Sequence, residues 1–399
     1  MFLTSSDARR FGQWEDVPWW EFVRAEGKSP DYRAIVAKFL TRGLVAVKEE
    51  VASTRTVGNM GQAFLLSAVG LGRDGDAAIA RMLNAPTNEA WIDPWTAFLR
   101  ARGVRFVLGR TVEGFELSGG RVSAARSVDA KGGGHRIEAD WFVCAVPPDR
   151  AVRLWTPELL RRAPALEGVG RLRTDWMNGV QFYLRESPRG LGELLSFMDS
   201  PWQLTAVLQS AIWDRDFKAD YGDGSVADCL SLDVSDWDTP GVLYGKPAKR
   251  CSPGEVVAEC WAQMKAHLED TGASVLPDAI LHSWFVDPAI VWNAATGGNT
   301  NDEPLTVNTI GSWRDRPEAR TGVPNLFLAG DYLRTHTDLA TMESANESAR
   351  AAVAALLDAA SSPSAPPPVW PLYQPPQLDA LKRLDAARFA RGLPHVLDL

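Results

Sequence analysis

Two glycine-containing stretches are the first candidates for chemistry in this sequence. Residues 68–76 read AVGLGRDGD, which places Gly70, Gly72 and Gly75 at the spacing G-x-G-x-x-G. In dinucleotide-binding folds this spacing lets the backbone approach a pyrophosphate at a helix N-terminus, provided that a buried strand precedes it. Here the preceding residues have helical periodicity and Pro86 interrupts the following helix. We therefore predict a turn between two helices, with an accidental match to the motif.

The second stretch, residues 325–345, has the order of elements that a cofactor site needs. An apolar strand is predicted to end at Gly330 and Asp331, and a helix is predicted to begin near Thr341 and Met342. Glycine allows close approach of a ligand, and a carboxylate accepts hydrogen bonds from sugar or ribityl hydroxyls. The free N–H groups of a helix N-terminus favour a polar carbonyl such as flavin O2. On these residues alone, the alternative to a cofactor site is a strand, an aspartate turn and a capped helix with no ligand.

The remaining elements follow from hydrophobic periodicity and turn residues. Residues 1–84 are predicted to be mostly helical, and a further helix begins at Asp93-Pro94 and stops at Gly103. Then come a strand at VRFVLG, a three-stranded meander, and a buried strand in DWFVCAVPP. Residues 155–315 mix strands such as GVQFYLRE and LTAVLQSAIW with a helix near 254–270. A proline-rich linker separates the helix that begins near Thr341 from a basic amphipathic helix at 376–391, which either contacts a membrane or docks on the protein's own body.

Composition excludes several classes of protein. The net charge of −8 argues against a nucleic-acid partner, and the N-terminus has no apolar signal region. No apolar run is long enough to span a bilayer. The four cysteines and five histidines show no metal-ligand spacing and no C-x-x-C pair. We expect a reduced, cytoplasmic, metal-free protein with two domains or one large interleaved body.

The order of motifs resembles the flavin-dependent amine oxidase and phytoene desaturase superfamily over roughly residues 84–356. The resemblance rests on GVRFVLGRTVEGFEL and IEADWFVCAVPP, followed by VPNLFLAGD and ATMESANESARAAV. DSPWQLTAVLQ and GSWRDRPEA resemble, in particular, bacterial FAD-dependent oxidoreductases near the carotenoid desaturases and hydroxysqualene dehydroxylases. The resemblance implies an α/β fold (α+β overall) with a glutathione-reductase-like FAD-binding domain and a mixed-sheet substrate domain. The FAD-binding domain is expected to comprise residues 85–154 and 319–358. The substrate domain is expected to comprise residues 1–84 and 155–318. Residues 359–399 are expected to form the proline-rich linker and the C-terminal helix.

The resemblance also assigns FAD-binding roles to single residues. By position they are Val112 (backbone contact to the adenine), Ala145 and Pro147 (strand tip beside FAD), Gly330 and Asp331 (pyrophosphate and ribityl chain), and Thr341 and Met342 (helix start under the flavin pyrimidine). Relatives carry G-x-G-x-x-G after an apolar strand within their first few dozen residues, and residues 1–60 contain no such unit. Three explanations for this departure stay open: the sequence is a truncated product, a partner chain supplies the unit, or the protein is a flavin-free relative.

The implied reaction is hydride transfer from a substrate C–H to flavin N5. Amine-oxidising members place a lysine near N5, where this chain has Asn178, and an aromatic residue where it has Thr341. We therefore expect a desaturase or dehydroxylase that acts on an apolar isoprenoid or aromatic substrate. An amine oxidase of the same fold and a non-catalytic chain are the rivals. The aromatic residues that could line the pocket, or simply fill the core, are Trp176, Phe182, Trp202, Trp213 and Trp284.

Ser344 is a smaller departure, because many relatives have glycine at that position. His336 and Asp338 lie just before the predicted helix start and could move protons. The alternative for Asp338 is a cap at the start of that helix.

Overall fold

Helices and strands alternate irregularly along the chain, and the computed structural model describes residues 1–72, 81–269, 272 and 274–398. The helices, in chain order, are α1 (Asp7–Arg9), α2 (Trp19–Phe22), α3 (Pro30–Tyr32), α4 (Thr54–Ala68), α5 (Asp93–Ala101), α6 (Pro148–Ala151), α7 (Pro157–Arg162), α8 (Phe217–Asp220), α9 (Pro253–Leu268), α10 (Ser312–Asp315), α11 (Met342–Ala359) and α12 (Asp379–Phe389). Helical stretches with wider turns adjoin α1, α3 and α5 at Arg10–Trp14, Arg33–Gly43 and Asn88–Ile92.

The strands form one larger sheet and several small ones. In chain order they are β1 (Arg110–Ser118), β2 (Arg121–Asp129), β3 (Gly134–Ile137), β4 (Phe142–Cys144), β5 (Arg173–Asp175), β6 (Asn178–Leu184), β7 (Leu194–Ser196), β8 (Thr205–Leu208), β9 (Asp228–Val234), β10 (Leu281–Val286), β11 (Ile290–Asn293), β12 (Gly298–Asn301), β13 (Leu305–Val307) and β14 (Leu326–Leu328). The predicted meander (β1–β3), buried strand (β4) and final apolar strand (β14) are confirmed.

The prediction of a strand at VRFVLG, residues 104–109, is wrong. Residues Val104 to Leu108 run without a turn or bend, but they pair with no strand of the described residues. Valine, phenylalanine and leucine favour strands, yet a strand also needs a neighbour to accept its backbone hydrogen bonds.

The five-stranded sheet has the order β10-β6-β9-β8-β7 and is antiparallel throughout. Along β6, Val180, Phe182 and Leu184 are fully buried, and the residues between them are partly exposed. This alternation places one face of the sheet on a core that includes Val256, Cys260 and Met264 of α9. The opposite face stays open.

A second core holds the elements that carry the predicted cofactor residues. It joins the meander, β4, β14, the segment 151–169 and one face of α11. β4 and β14 pair in parallel, with Leu326 opposite Phe142 and Leu328 opposite Cys144. A third, smaller core packs the N-terminal helices against Val307, Met177 and Leu339. The domain limits suggested by the sequence stay a prediction.

The C-terminal helix α12 packs on the N-terminal segment. Asp385 is buried and accepts hydrogen bonds from the Ser6 backbone N–H at 2.8 Å and from Arg9 Nε at 2.7 Å. Of the two alternatives for this helix, docking on the protein's own body is therefore the one that the contacts support. Among the described residues, no helix combines the length and the apolar character that crossing a membrane would require.

Candidate functional site

Parallel pairing brings two of the predicted cofactor segments to one edge of the molecule. The Ala329 N–H donates to the Cys144 carbonyl oxygen at 3.0 Å, which continues the β4–β14 ladder by one residue. The carboxyl ends of neighbouring parallel strands point the same way, so the tips at Ala145–Pro147 and Gly330–Asp331 lie side by side. Ala145 and Pro147 are exposed there.

The start of α11 lies against the same tips. The Gly330 N–H donates to Ser348 Oγ at 2.8 Å, and Ser344 Oγ donates to the Asp331 carbonyl oxygen at 3.5 Å. Thr341 is the N-cap of α11, since its Oγ1 accepts from the Ser344 N–H at 3.3 Å. The structure thus groups six of the seven predicted residues: Ala145, Pro147, Gly330, Asp331, Thr341 and Met342.

Gly330 has a conformation that only glycine adopts easily. Its φ is +151°, and a Cβ atom placed on it would lie 2.6 Å from Cε1 of Tyr332. The glycine keeps the tip of β14 free of a side chain, so a ligand can approach the backbone closely. Burial raises the pKa of the neighbouring Asp331, and the positive charge of Arg316 partly opposes that shift.

Val112 lies apart from this group. It is an exposed residue of β1, next to a shift in the β1–β2 register between Val112 and Gly114. No hydrogen bond of the described residues joins it to the strand tips. The meander itself packs toward β4, because the Phe115 and Phe142 rings meet edge to face at 6.2 Å between centroids.

The G-x-G-x-x-G match at residues 70–75 follows a helix and not a strand. Gly70 and Gly72 both have positive φ, +79° and +73°, directly after α4. The Leu71 N–H bonds back to the Leu66 carbonyl oxygen at 2.8 Å, as in a glycine-ended helix. This agrees with the predicted turn for the first two glycines, whereas Gly75 lies outside the described residues.

A buried cluster of charges, absent from the sequence-based expectations, holds the loop before α11. Arg55 contacts Glu15 Oε2 at 2.8 Å through Nε and Asp338 Oδ2 at 2.7 Å through Nη2. Arg316 Nη1 lies 3.1 Å from the other oxygen of Asp338. The side chains of all four residues are at most 2% exposed. Because these partners are far apart in sequence, no local motif could have signalled the cluster.

Asp338 was expected either to move protons or to cap α11, and its place in the charge cluster corrects both expectations. His336 does not belong to the cluster. Asp338 does not cap α11, since Thr341 does, and its carboxylate is occupied by two arginines. Its backbone has φ +54°, an uncommon value for aspartate, which the surrounding ion pairs hold in place. His336 is exposed.

The open face of the five-stranded sheet contains a cavity of about 340 Å³. The side chains that line it include Gln181, Thr205, Gln209, Ser231 and Asp233, and Gly179 contributes its backbone. Asp233 lies directly opposite Gly179 in the β6–β9 ladder. Its pKa is raised by burial in this groove and, to a smaller extent, by the nearby negative charge of Asp287.

The Asn178 end of this sheet is tied to the elements around the strand tips. Asn178 donates to Asp287 Oδ2 at 2.9 Å and accepts from Asn301 Nδ2 at 2.7 Å. The guanidinium of Arg150, on the helix that follows Pro147, donates to the Asp302 carbonyl oxygen. Met177 and Leu339 share the third core, so the residue before Asn178 and the loop before Thr341 pack together.

Of the aromatic residues expected to line one pocket, Phe182, Trp202 and Trp176 lie in or against the first core, and Trp284 lies opposite Phe182 in the β10–β6 ladder. Phe182 and Trp202 are fully buried in the first core. Trp176 is half-buried against Trp237, and Trp213 stacks on Phe217. Trp284 is exposed on the edge strand β10. The expectation of a shared pocket is therefore wrong for Phe182 and Trp202, which fill the core.

Comparisons with known proteins agree with this geometry. The family model described as flavin containing amine oxidoreductase matches residues 37–357. Putrescine oxidase bound to putrescine is similar in structure, with 14% identity, 90% of this chain and 70% of that chain covered, and a TM-score of 0.58. A double mutant of putrescine oxidase is also similar in structure, with 13% identity, 97% of this chain and 70% of that chain covered, and a TM-score of 0.54. No curated protein matches the chain in sequence.

These structural neighbours, at such low identity, establish the fold, which is α/β overall as predicted. The family match covers most of the chain and includes β4, β14 and the first turns of α11. The superfamily expected from the motif order is thereby confirmed, while the likeness to desaturases in particular stays a prediction. The chain belongs to the flavin containing amine oxidoreductases, a family whose cofactor is FAD.

Proposed function

We propose that this protein is a FAD-dependent oxidoreductase with its flavin site at the tips of β4 and β14 and the start of α11. The observation that carries the proposal is the parallel pairing of β4 with β14 beneath the first turns of α11. It brings a bare glycine backbone, a carboxylate and a helix N-terminus to one place. FAD bound there would supply the acceptor for a hydride from a substrate C–H.

Each residue of this site has a separate role in the proposal. Gly330 admits the cofactor to the backbone, and Asp331 accepts hydrogen bonds from ribityl hydroxyls. The free N–H groups at Met342 and the next residues stabilise negative charge on the flavin pyrimidine. The Arg55–Asp338–Arg316 cluster fixes the loop that leads to this helix start.

For the substrate, the open sheet face favours a polar, cationic molecule over an isoprenoid. The cavity lining places the amides of Gln181 and Gln209, two hydroxyls and the Asp233 carboxylate beside apolar groups such as Val207. Gly179 lies beside that carboxylate, and a Cβ placed on it would be in ordinary contact with Asp233 Oδ1 at 3.6 Å. An ammonium group suits this position. The similarity to putrescine oxidase, solved with putrescine bound, supports the same substrate class.

The desaturase-like alternative needs an apolar cavity, which the sequence placed among five aromatic residues. Two of these, Phe182 and Trp202, lie in the core on the other side of the sheet. We therefore place the amine oxidase alternative first. We keep the isoprenoid or aromatic substrate as the second candidate, because Phe285 and Trp284 are exposed on the edge strand β10.

The pyrophosphate of FAD needs its own anion site. Among the described residues, no glycine-rich turn links a buried strand to a helix N-terminus, and Gly70 and Gly72 follow a helix. We infer that the 399-residue chain binds FAD weakly by itself, and that another polypeptide segment completes the site.

The test is a titration of the purified chain with FAD, followed by anaerobic mixing with candidate substrates. We expect weak binding by flavin fluorescence and bleaching of the flavin absorbance by putrescine or a monoamine. Bleaching by an isoprenoid alcohol alone would favour the desaturase-like alternative. Absence of flavin binding at any FAD concentration, with or without added partner, would favour a non-catalytic chain.

A further inference from the structure

A separate cavity of about 190 Å³ lies between residues 163–171 and residues 314–322. Five arginines and a single carboxylate, that of Glu318, belong to its wall. We call it the arginine cavity; its arginines are Arg171, Arg314, Arg316, Arg320 and Arg334. In a chain of net charge −8, a small cavity walled by guanidinium groups is a place that attracts anions.

Arg316 is the buried arginine of this wall, and two of its three side-chain nitrogens have no partner. Its Nη1 lies 3.1 Å from Asp338 Oδ1, whereas Nε and Nη2 contact no acceptor among the described residues. These two nitrogens form one edge of the planar guanidinium, and such an edge binds two oxygens of a carboxylate or phosphate at once. A buried charged donor without an acceptor is costly, and an absent ion is one explanation for it.

The neighbouring charges do not satisfy Arg316. Burial lowers the pKa of Arg316, Asp338 partly opposes that shift, and the nearby positive charge of Arg55 adds to it. Asp338 is shared, because its other oxygen pairs with Arg55 at 2.7 Å. An anion on the free edge of Arg316 would offset the remaining cost of burying this charge.

The other four arginines of the wall are more exposed, and each already has a carboxylate neighbour. The pairs are Arg171–Asp315, Arg314–Asp16, Arg320–Asp358 and Arg334–Glu318. Of these carboxylates, only Glu318 belongs to the cavity wall. Exposed ion pairs contribute little to stability, so these side chains can turn toward an anion at small cost.

The walls of the arginine cavity are closely packed against each other. A Cβ atom on Gly168 would collide with the Asp315 carbonyl oxygen, and one on Gly322 would collide with the Arg162 carbonyl oxygen. Because backbone atoms block both positions, the two walls keep a fixed separation. The volume is below the roughly 300–1,000 Å³ of pockets that hold drug-sized ligands, so the cavity suits a small ion and not a dinucleotide.

The arginine cavity is distinct from the flavin site proposed above. Arg320 pairs with Phe327 on one side of β14, and β4 pairs on the other side. The cavity wall includes Arg320 and its neighbours Thr321 and Gly322, and none of the six residues grouped at the strand tips. The cavity therefore belongs to the edge of β14 that faces away from β4.

We propose that the arginine cavity binds a small oxyanion, a phosphate or a carboxylate group, on the free edge of Arg316. One oxygen accepts from Nε and another from Nη2, and Arg171 and Arg334 supply further positive charge. Because Nη1 of the same guanidinium contacts Asp338, the bound anion also stabilises the loop before α11. The proposal goes beyond the flavin chemistry and does not depend on it.

The experiment titrates the full chain, without FAD, with sodium phosphate in a calorimeter, at an ionic strength held constant with sodium chloride. We expect saturable binding of one phosphate per chain and a rise in the thermal midpoint as the site fills. Acetate and glycerol phosphate are titrated in the same way. Tighter binding of acetate than of phosphate would assign a carboxylate ligand, and tighter binding of glycerol phosphate would assign a phosphate ester.

Two variants test the residues. Arg316→Lys keeps a positive charge beside Asp338 but removes the two-pronged edge, and it should weaken anion binding about tenfold or more. Because Arg316 is buried, Arg334→Gln provides a second test at a partly exposed side chain, where a several-fold loss is expected. Arg136→Gln is the matched control, since it removes an exposed arginine paired with Glu116 on the meander.

Two results would overturn the proposal. The first is that none of the three anions binds or raises the thermal midpoint more than chloride does at equal ionic strength. The second is that Arg334→Gln binds the anion as tightly as Arg136→Gln does, which would place any bound anion elsewhere on the protein.

Discussion

The five-stranded sheet and the two-stranded parallel sheet differ in how completely their apolar surfaces are covered. In the first, Val180, Phe182 and Leu184 are fully buried against a core that includes α9, and the opposite face is polar. In the second, Phe142 and Leu328 are buried, but Val143 of β4 is exposed, and so are Trp95 and Phe98 of helix α5. The five-stranded sheet is covered on its apolar face, whereas the parallel sheet and helix α5 display exposed apolar side chains.

This difference shows that apolar burial is distributed unequally in the chain. The residues proposed to meet FAD lie on the less covered sheet, where, among the described residues, β14 has neighbours on both sides and β4 on one.

The largest effect is expected from truncating the core of the five-stranded sheet. Phe182→Ala removes a fully buried ring and should lower the free energy of unfolding by about 3–5 kcal/mol. Phe98→Ala on helix α5 should change it by less than about 0.5 kcal/mol, because Phe98 is half exposed. Urea denaturation of both variants measures the contrast, and equal losses would contradict the comparison.

Breaking the buried charge cluster should have nearly as large an effect. Arg55→Met leaves Glu15 and Asp338 buried with too little positive charge, at an expected cost of about 3–5 kcal/mol. Arg314→Met removes an exposed pair with Asp16 and should cost about 1 kcal/mol or less. If thermal unfolding shows similar losses for the two variants, the cluster does not support the loop before α11.

At the strand tip, Gly330→Ala should cost about 1–3 kcal/mol, because it combines a strained φ with a clash against Tyr332. Gly190→Ala is the matched control, since it also has positive φ but nothing within 4 Å of an added Cβ. We expect only Gly330→Ala to weaken FAD binding further, measured by flavin fluorescence. An unchanged FAD affinity would remove Gly330 from the site.

The smallest effect concerns pH and the open sheet face. The raised pKa of Asp233 means that its carboxylate becomes charged only above the ordinary value of 3.8. Putrescine binding should therefore weaken as the pH falls through that raised pKa, and Asp233→Asn should remove this dependence. Since the folded state holds the proton more tightly than the unfolded state, Asp233 costs stability as the pH rises from 3.8 through its folded pKa.

Calorimetric titration with putrescine over a pH series measures this effect, and Glu26→Gln, an exposed position, is the control. A pH dependence that survives in Asp233→Asn would assign it to another group. Asp287 would then be the next candidate, since it lies near enough to influence Asp233.

Local patterns predicted the elements that carry the site. The apolar runs of β4 and β14, the alternation along β6 and the threonine before α11 were all readable from neighbouring residues. At residues 104–109, prediction from the local pattern fails. Its residues favour a strand, yet a strand exists only where another backbone accepts its hydrogen bonds.

The sequence by itself determined the glycine, the aspartate and the helix cap that are candidates for a cofactor site, because these residues act through local backbone geometry. The pairing of β4 with β14, the burial of Asp338 between two arginines and the assignment of Phe182 and Trp202 to the core were decided by tertiary structure. Each depends on partners distant in sequence, and burial and Coulomb energy act through space rather than along the chain.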